Sequence, residues 1–176
     1  MNNSRLFAIL SFILLGVLSR FLPHPPNFTA INAIALFGSC SFGGLWLSLS
    51  TVYATMFLTD AILGFHCSMP YTYLSLGLIV VLGQWVNLKF SIYRVGGALM
   101  IASLIFFFVT NFGSWLTSPL YSKTFSGLIS CYIAAIPFFA NQVLGDVFYG
   151  TLLFGCFACL ESSIPSIRLN CERKSI

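Results

Sequence analysis

Charged residues are scarce in this chain of 176 residues, at 7% of the total, whereas hydrophobic residues make up 58%. A soluble domain carries about 25% charged residues, so eight basic and four acidic side chains are too few to cover a soluble protein of this size. This shortage excludes a soluble enzyme, a secreted disulfide scaffold, a coiled coil and a nucleic-acid binder. Continuous apolar stretches of ~15–24 residues favour transmembrane helices over the ~10-residue alternating strands of a membrane barrel.

Catalytic and nucleotide-binding motifs are also missing. The chain contains no Walker A motif, no G-x-S-x-G and no H-E-x-x-H, so the sequence predicts neither ATP hydrolysis nor an enzyme of a recognised class, and it indicates no cofactor. Six cysteines lie in apolar sequence without the spacing of a disulfide framework. We interpret the C-x-x-C formed by Cys156 and Cys159 as one face of a helix, not as a redox pair.

The apolar stretches predict an all-α fold, a polytopic membrane bundle of six transmembrane helices. The predicted segments are 6–22, 29–42, 45–64, 71–88, 92–116 and a last region at 126–161. Because proline interrupts a helix, Pro137 divides the last region into a half-helix or re-entrant piece at 125–136 and a full helix at 138–161. We expect one six-helix domain over residues 1–165 and a short basic cytoplasmic tail over residues 166–176.

The basic residues predict an orientation. Six helices place both termini on one side of the membrane, and that side carries six of the eight Lys and Arg residues: Arg5, Lys89, Arg94, Arg168, Arg173 and Lys174. Arg20 and Lys123 lie on the other side. Since positive charge accumulates in cytoplasmic loops, we expect a multi-pass protein of the inner (plasma) membrane with both termini in the cytoplasm. Loops 20–29, 64–70 and 116–126 are then external.

Polar side chains gather at the external end of the predicted bundle. Polar groups at membrane depth are costly and are therefore candidates for function. The candidate substrate-binding residues are His24, Asn27, Asp60, His66, Asn111, Trp115, Tyr132, Asn141 and Asp146. A polar cluster rimmed by aromatic rings is typical of a small-molecule site. The two carboxylates favour a ligand with a cationic or hydrogen-bond-donating group, and Trp115 and Tyr132 would form apolar walls.

Some of these polar residues could instead have a purely structural role. Asp60 could pair with Arg20 or cap a helix end, and Asp146 could form a hydrogen bond between helices. His24 could serve only to shape its proline-rich loop.

Two further patterns each have two interpretations. His66 and Cys67 are adjacent residue types that bind transition metals, which leaves a metal site open. Small residues stand four apart at Ala35-Ser39-Gly43, Ala98-Ala102 and Ser126-Ser130-Ala134. This spacing lets helices approach closely. We favour packing within the bundle over docking to a partner membrane protein.

Several runs of this sequence resemble an uncharacterised family of small bacterial integral-membrane proteins. The first is R-F-L-P-H-P-P-N-F-T at 20–29, followed by an Ala-rich helix that ends in A-L-F-G at Gly38. The others are Asp60 with L-G-F-H at 63–66, V-T-N-F-G-S-W at 109–115, A-A-I-P-F-F at 134–139, and Gly145-Asp146 with Tyr149. The resemblance covers residues 5–161, and it implies no assigned activity.

The layout is also distantly similar to the substrate-binding S components of energy-coupling factor (ECF) transporters. The shared features are a short second helix, a Gly-Gly break and an acidic residue that ends helix three. This resemblance implies a vitamin-like or metal ligand near the outer face and a membrane coupling subunit as partner. The A-x-x-x-A contact patch of S components is not kept, since Ala8 is followed by Phe12. Cys67 stands where S-component-like cobalamin carriers place a loop cysteine.

The sequence therefore favours a lipid-embedded, substrate-binding protein for small-molecule uptake. The alternative is a non-catalytic structural or assembly protein of the cell envelope, in which the polar cluster holds helices together. A third hypothesis is a small membrane enzyme that acts on a lipid or an isoprenoid, which requires an acid–base pair in a lipid-open cleft.

Overall fold

The computed structural model describes residues 3–42, 44–86, 91–164 and 167. Within these ranges the chain folds into α-helices without a β-strand, which confirms the predicted all-α class. The helices are α1 (Asn3–Leu18, followed by a 3-10 turn at Ser19–Phe21), α2 (Ile31–Phe42), α3 (Leu45–Leu63), α4 (Met69–Val86), α5 (Ile92–Thr117) and α6 (Phe125–Ser163). Gly43, Lys89 and, except for Ile167, the predicted tail at 166–176 lie outside the described residues.

Four helical stretches among the described residues are long and apolar enough to cross a membrane. They are Asn3–Phe21, Leu45–Leu63, Tyr93–Thr117 and Phe125–Ser163. A span needs about 20 apolar residues at a rise of about 1.5 Å each, and the apolar α2 has only 12 residues. The chain therefore has the features of an integral membrane protein, and the crossing of all six helices stays a prediction.

Helix α2 is the central element of the bundle. Ten of its twelve residues are buried, among them Phe37 and Ser39. The ring of Phe37 lies 5.3 Å, centroid to centroid, from the rings of both Phe154 and Phe157 on α6. On the α4 side, the hydroxyl of Ser39 donates a hydrogen bond of 2.6 Å to the carbonyl of Val80. The N-terminus of α2 lies inside the bundle, since Ala30 and Asn32 are 0% and 3% exposed.

Helix α6 corrects the predicted boundary at Pro137. The half-helix or re-entrant piece expected at 125–136 is wrong, since α6 is one helix of 39 residues with Pro137 inside it. A proline removes one backbone hydrogen bond, but membrane helices tolerate this loss where neighbouring groups compensate it. At a rise of 1.5 Å per residue α6 is about 58 Å long, so it needs a strong tilt or extends beyond an apolar layer of about 30 Å.

The two ends of the bundle differ in character. Arg5 on α1 forms an ion pair with Glu161 on α6 and donates to the carbonyl of Ile167 at 2.8 Å. We call this end the termini end. The opposite end, which we call the cavity end, carries loops 22–30, 64–68 and 118–124.

The small-residue patterns pack as expected in two of three places. Buried positions include Ala35, Ser39, Ala98 and Ala102. The prediction of packing within the bundle is wrong for the third pattern, because Ser126, Ser130 and Ala134 are exposed. The buried face of this part of α6 lies one residue further along, at Gly127, Cys131 and Ala135.

Candidate functional site

A cavity of about 350 Å³ opens at the cavity end of the bundle. Its volume falls within the usual range of small-molecule sites, about 300–1,000 Å³. Its lining comes from several elements: Arg20, His24, Asn27, Thr29, Ile31, Asn32, Met56, His66, Ser68, Thr72, Phe106, Thr110, Asn111, Ser114 and Gln142. Most of these side chains are polar, in a protein whose surface and core are otherwise largely apolar.

The structure brings four of the nine predicted site residues together in this cavity. They are His24, Asn27, His66 and Asn111. The two carboxylates, Asp60 and Asp146, do not line the cavity, but each bonds to a side chain that does. The remaining three residues act elsewhere at the same end of the bundle, as described below.

Asp60 lies behind the wall formed by Arg20. Its Oδ1 accepts a hydrogen bond of 2.9 Å from Nη2 of Arg20, and its Oδ2 accepts one of 3.1 Å from the hydroxyl of Tyr73. The other terminal nitrogen of Arg20 donates to the hydroxyl of Thr59. Asp60 is 2% exposed, so its negative charge is balanced inside the protein. The alternative that Asp60 pairs with Arg20 is therefore confirmed.

Asp146 joins three helices beneath the cavity. Its Oδ2 accepts hydrogen bonds from Nδ2 of Asn32 at 2.9 Å and from the hydroxyl of Ser103 at 2.6 Å. Gln142, one turn earlier on α6, donates to the carbonyl of Ser103 at 2.9 Å. The alternative of hydrogen bonds between helices is thus confirmed. Since Asn32 and Gln142 also line the cavity, this cluster forms part of its floor.

Two atoms of this floor accept no hydrogen bond. They are Oδ1 of Asn32 and Oδ1 of Asp146, both buried. The two residues are 3% and 1% exposed, respectively. A buried polar atom without a partner costs about 1–3 kcal/mol. A group that donates a hydrogen bond to either of these two atoms would therefore be stabilised there.

Loop 22–30 is held in place against α6. Nδ2 of Asn141 donates to the carbonyl of Pro26 at 3.1 Å, and the ring of Phe28 packs on those of Phe148 and Tyr149. Gly145 permits this contact, since a Cβ atom there would lie 3.0 Å from the backbone nitrogen of Thr29. Asn141 is therefore an anchor of the cavity wall.

Trp115 and Tyr132, the two predicted wall residues, join α5 to the loop after it and to α6. Nε1 of Trp115 donates to the carbonyl of Ser122 at 2.9 Å, and Lys123 lies over the Trp115 ring. The hydroxyl of Tyr132 donates to the carbonyl of Phe108 at 2.8 Å. Neither Trp115 nor Tyr132 lines the cavity.

The two histidines that line the cavity make local contacts. Nδ1 of His24 lies 2.9 Å from the carbonyl oxygen of Pro25, and Nδ1 of His66 lies 2.9 Å from the hydroxyl of Ser68. Cys67 is exposed in the same loop. In the part of the chain that the structure describes, no three His, Cys, Asp or Glu residues are grouped as metal ligands would be.

Sequence reasoning missed several polar residues of the cavity and its floor. Gln142 stands four residues before Asp146 on α6, and Thr110 and Ser114 stand four apart on α5, on either side of Asn111. Polar residues at this spacing share a helix face, and that signal would have found them. Ser103 carries no such signal, because a single serine in an apolar run commonly bonds to its own helix.

The comparison with protein families gives one match. The model of a family of unknown function, DUF6580, matches residues 1–167. No curated protein and no solved structure matches the chain. The family match confirms the resemblance to an uncharacterised family, and the likeness to S components stays a prediction.

Proposed function

We propose that this chain, which belongs to the DUF6580 family, is an integral membrane protein that binds a small polar molecule from outside the cell and serves its uptake. The observation that carries the proposal is the polar cavity of about 350 Å³ at one end of an apolar bundle. A purely structural set of polar groups in a membrane protein would be closed and fully paired. Here Thr110, Asn111 and Ser114 face a cavity instead.

The cavity lining suggests the chemistry of the ligand. Arg20 is the only Lys, Arg, Asp or Glu residue among the lining residues, and it is accompanied by His24 and His66. Asn32 supplies a buried oxygen that can accept a hydrogen bond. Asn111 donates to the carbonyl of Phe107 at 2.8 Å, so its own amide oxygen can accept a bond from a ligand. These groups suit a neutral or weakly acidic molecule with both donors and acceptors.

The orientation and the partner follow as parts of the same proposal. The cavity end would face the outside and the termini end the cytoplasm, as the distribution of basic residues predicts. Uptake requires release on the inner side, and this chain has no nucleotide-binding motif of its own. A membrane coupling subunit would therefore supply the energy, or the ligand gradient would drive uptake.

The test is to purify the wild-type protein in mild detergent and to identify co-purifying small molecules by native mass spectrometry. Thr110→Trp would fill the cavity from α5, so we expect the bound molecule to be lost. Tyr132→Phe, at the same end but outside the cavity, should retain it. The proposal fails if Thr110→Trp binds as the wild type does. It also fails if nothing co-purifies and no compound of a polar metabolite library raises the melting temperature of the wild type.

A second function, as an assembly protein of the envelope, is favoured by a different feature. An apolar groove of about 810 Å³ runs between α1 and α6 and is lined by Phe12, Leu152, Cys156 and Cys159 among others. A helix of a partner membrane protein would fit such a groove. Crosslinking through the exposed Cys156 and Cys159 should then yield one stoichiometric partner, which is lost when both cysteines are changed to serine.

A further inference from the structure

We propose that Asp146 and Asn32 form a proton-binding pair inside the bundle. In this pair the carboxyl group of Asp146 carries a proton on Oδ1 and donates it, as a hydrogen bond, to Oδ1 of Asn32. The proposal stands on the geometry of the two side chains and does not depend on the identity of any ligand in the cavity above them.

The first support is the pairing of the atoms. Nδ2 of Asn32 already donates to Oδ2 of Asp146 at 2.9 Å, and the unpaired atoms are the amide oxygen of Asn32 and the second carboxyl oxygen of Asp146. An ionised carboxylate and an amide oxygen are both acceptors, so neither can satisfy the other. A proton on Oδ1 of Asp146 converts this acceptor into a donor. The hydrogen bond that it would donate to Oδ1 of Asn32 would give both atoms a partner.

The second support is the absence of a cation beside Asp146. The side chains beside its carboxyl group, Asn32, Ser103 and Gln142, are neutral, and the residue is 1% exposed. A buried carboxylate without a cationic partner is so costly that the neutral form is preferred. Asp60, by contrast, has Arg20 at 2.9 Å and needs no proton.

The titratable groups on the surrounding elements do not supply that cation. At the cavity end they are the cations Arg20 and Lys123, the histidines His24 and His66, Asp60, the thiols of Cys67 and Cys131, and Tyr71, Tyr73, Tyr121 and Tyr132, with Tyr149 one turn along α6 from Asp146. Lys123 donates to the carbonyls of Trp115 and Ser118. Arg20 is engaged by Asp60 and Thr59, and the two histidines make the local contacts described above. α2 contributes Cys40, two turns beyond Asn32, and α5 contributes Tyr93 and Arg94, in its first turn. Among the described residues, Asp146 has no ion pair.

One consequence rests on the proposed function. Asn32 lines the cavity, so a ligand that donates a hydrogen bond to Oδ1 of Asn32 would compete with the Asp146 hydroxyl for that oxygen. The O–H bond of Asp146 would then break, with the proton passing to water in the cavity and the carboxylate remaining. Ligand binding and proton binding would oppose each other.

Infrared spectroscopy of the purified protein tests the pair directly. The chain has only four Asp and Glu residues, so the carbonyl stretching band of a protonated side-chain carboxyl group is easy to assign. We expect this band in the wild type at about pH 5, above the ordinary pKa of an Asp side chain, its loss in Asp146→Asn and its retention in Glu161→Gln. Asp146→Asn should fold, because its amide can donate to Asn32 and accept from Asn32 and Ser103.

Thermal unfolding gives a second readout. The folded protein would hold a proton that the unfolded chain releases, so wild-type stability should fall as the pH rises from about 4, the ordinary pKa of an Asp side chain, and should level off once Asp146 ionises in the folded protein. The melting temperature of Asp146→Asn should lack that decline.

Three results would overturn the proposal. One is a helical wild-type protein without the band at about pH 5, a result that needs no variant. Another is a band that persists in Asp146→Asn. The third result is a wild-type protein that lacks the band and has a higher melting temperature in sodium chloride but not in choline chloride. Asp146→Asn would show no such rise. That result would assign the two oxygens to a sodium ion.

Discussion

The guanidinium group of Arg20 lies 2.9 Å from the carboxylate of Asp60 and joins the turn after α1 to the last part of α3. The pair stands at the cavity wall, with Arg20 in the lining and Asp60 behind it. This relationship keeps a negative charge out of the cavity. It also leaves the guanidinium as the only permanent charge in the lining.

Removing Arg20 alone should destabilise the protein strongly. Arg20→Met leaves Asp60, which is 2% exposed, as a buried charge without a cation, and such losses cost about 3–5 kcal/mol. The double variant Arg20→Met, Asp60→Leu should recover most of this stability, because it removes both charges. The free energy of unfolding, measured in detergent for wild type, single and double variants, checks this. A single variant as stable as the wild type would show that the pair contributes nothing.

A side chain at Gly145 should displace loop 22–30. In Gly145→Val the new atoms would collide with the backbone at Phe28 and Thr29, since even a Cβ would lie 3.2 Å from Cα of Phe28. Overpacking of this kind costs about 1–3 kcal/mol, and it should weaken ligand binding by moving a cavity wall.

The matched control for Gly145 is a glycine of the same helix in open space. A Cβ at Gly155 would meet no atom within 4 Å, so Gly155→Ala should raise the free energy of unfolding by about 0.5–1 kcal/mol through helix propensity. Equal effects of the Gly145 and Gly155 variants on unfolding and binding would argue against the close contact with the loop.

The proposed orientation predicts the reactivity of Cys67. This cysteine is exposed in the loop at the cavity end, so a membrane-impermeant maleimide should label it in intact cells. Cys67→Ser should lose that labelling. In the Cys67→Ser background, Ser91→Cys at the start of α5, on the opposite side, should react only after permeabilisation. Labelling of position 91 but not position 67 in intact cells would reverse the orientation.

The sequence predicts helices best where strong signals flank them. The prediction of 45–64 agrees with α3 at Leu45–Leu63, because Gly44 and Gly64 mark both of its ends. The prediction failed at Pro137, where α6 continues. A proline shows where a hydrogen bond is lost, but whether the helix breaks depends on neighbours that the sequence does not place.

The sequence predicts the side of the bundle on which the polar residues gather, but not their contacts. The periodicity of α5 does not show that Trp115 bonds to Ser122 rather than facing the cavity. The floor depends on the register between three helices, which sets Asn32 and Ser103 on the same oxygen of Asp146. Registers of this kind follow from packing across the whole bundle, and no local pattern contains them.

The most direct test of the central claim is the binding affinity of the co-purifying molecule for wild type, Asn111→Ala and Tyr132→Phe. Asn111 lines the cavity and Tyr132 does not. The loss of one hydrogen bond costs about 1–1.5 kcal/mol, which corresponds to roughly tenfold in Kd. The account predicts a Kd raised about tenfold or more in Asn111→Ala and unchanged in Tyr132→Phe. Equal Kd values for Asn111→Ala and wild type, or a larger loss in Tyr132→Phe, would contradict it.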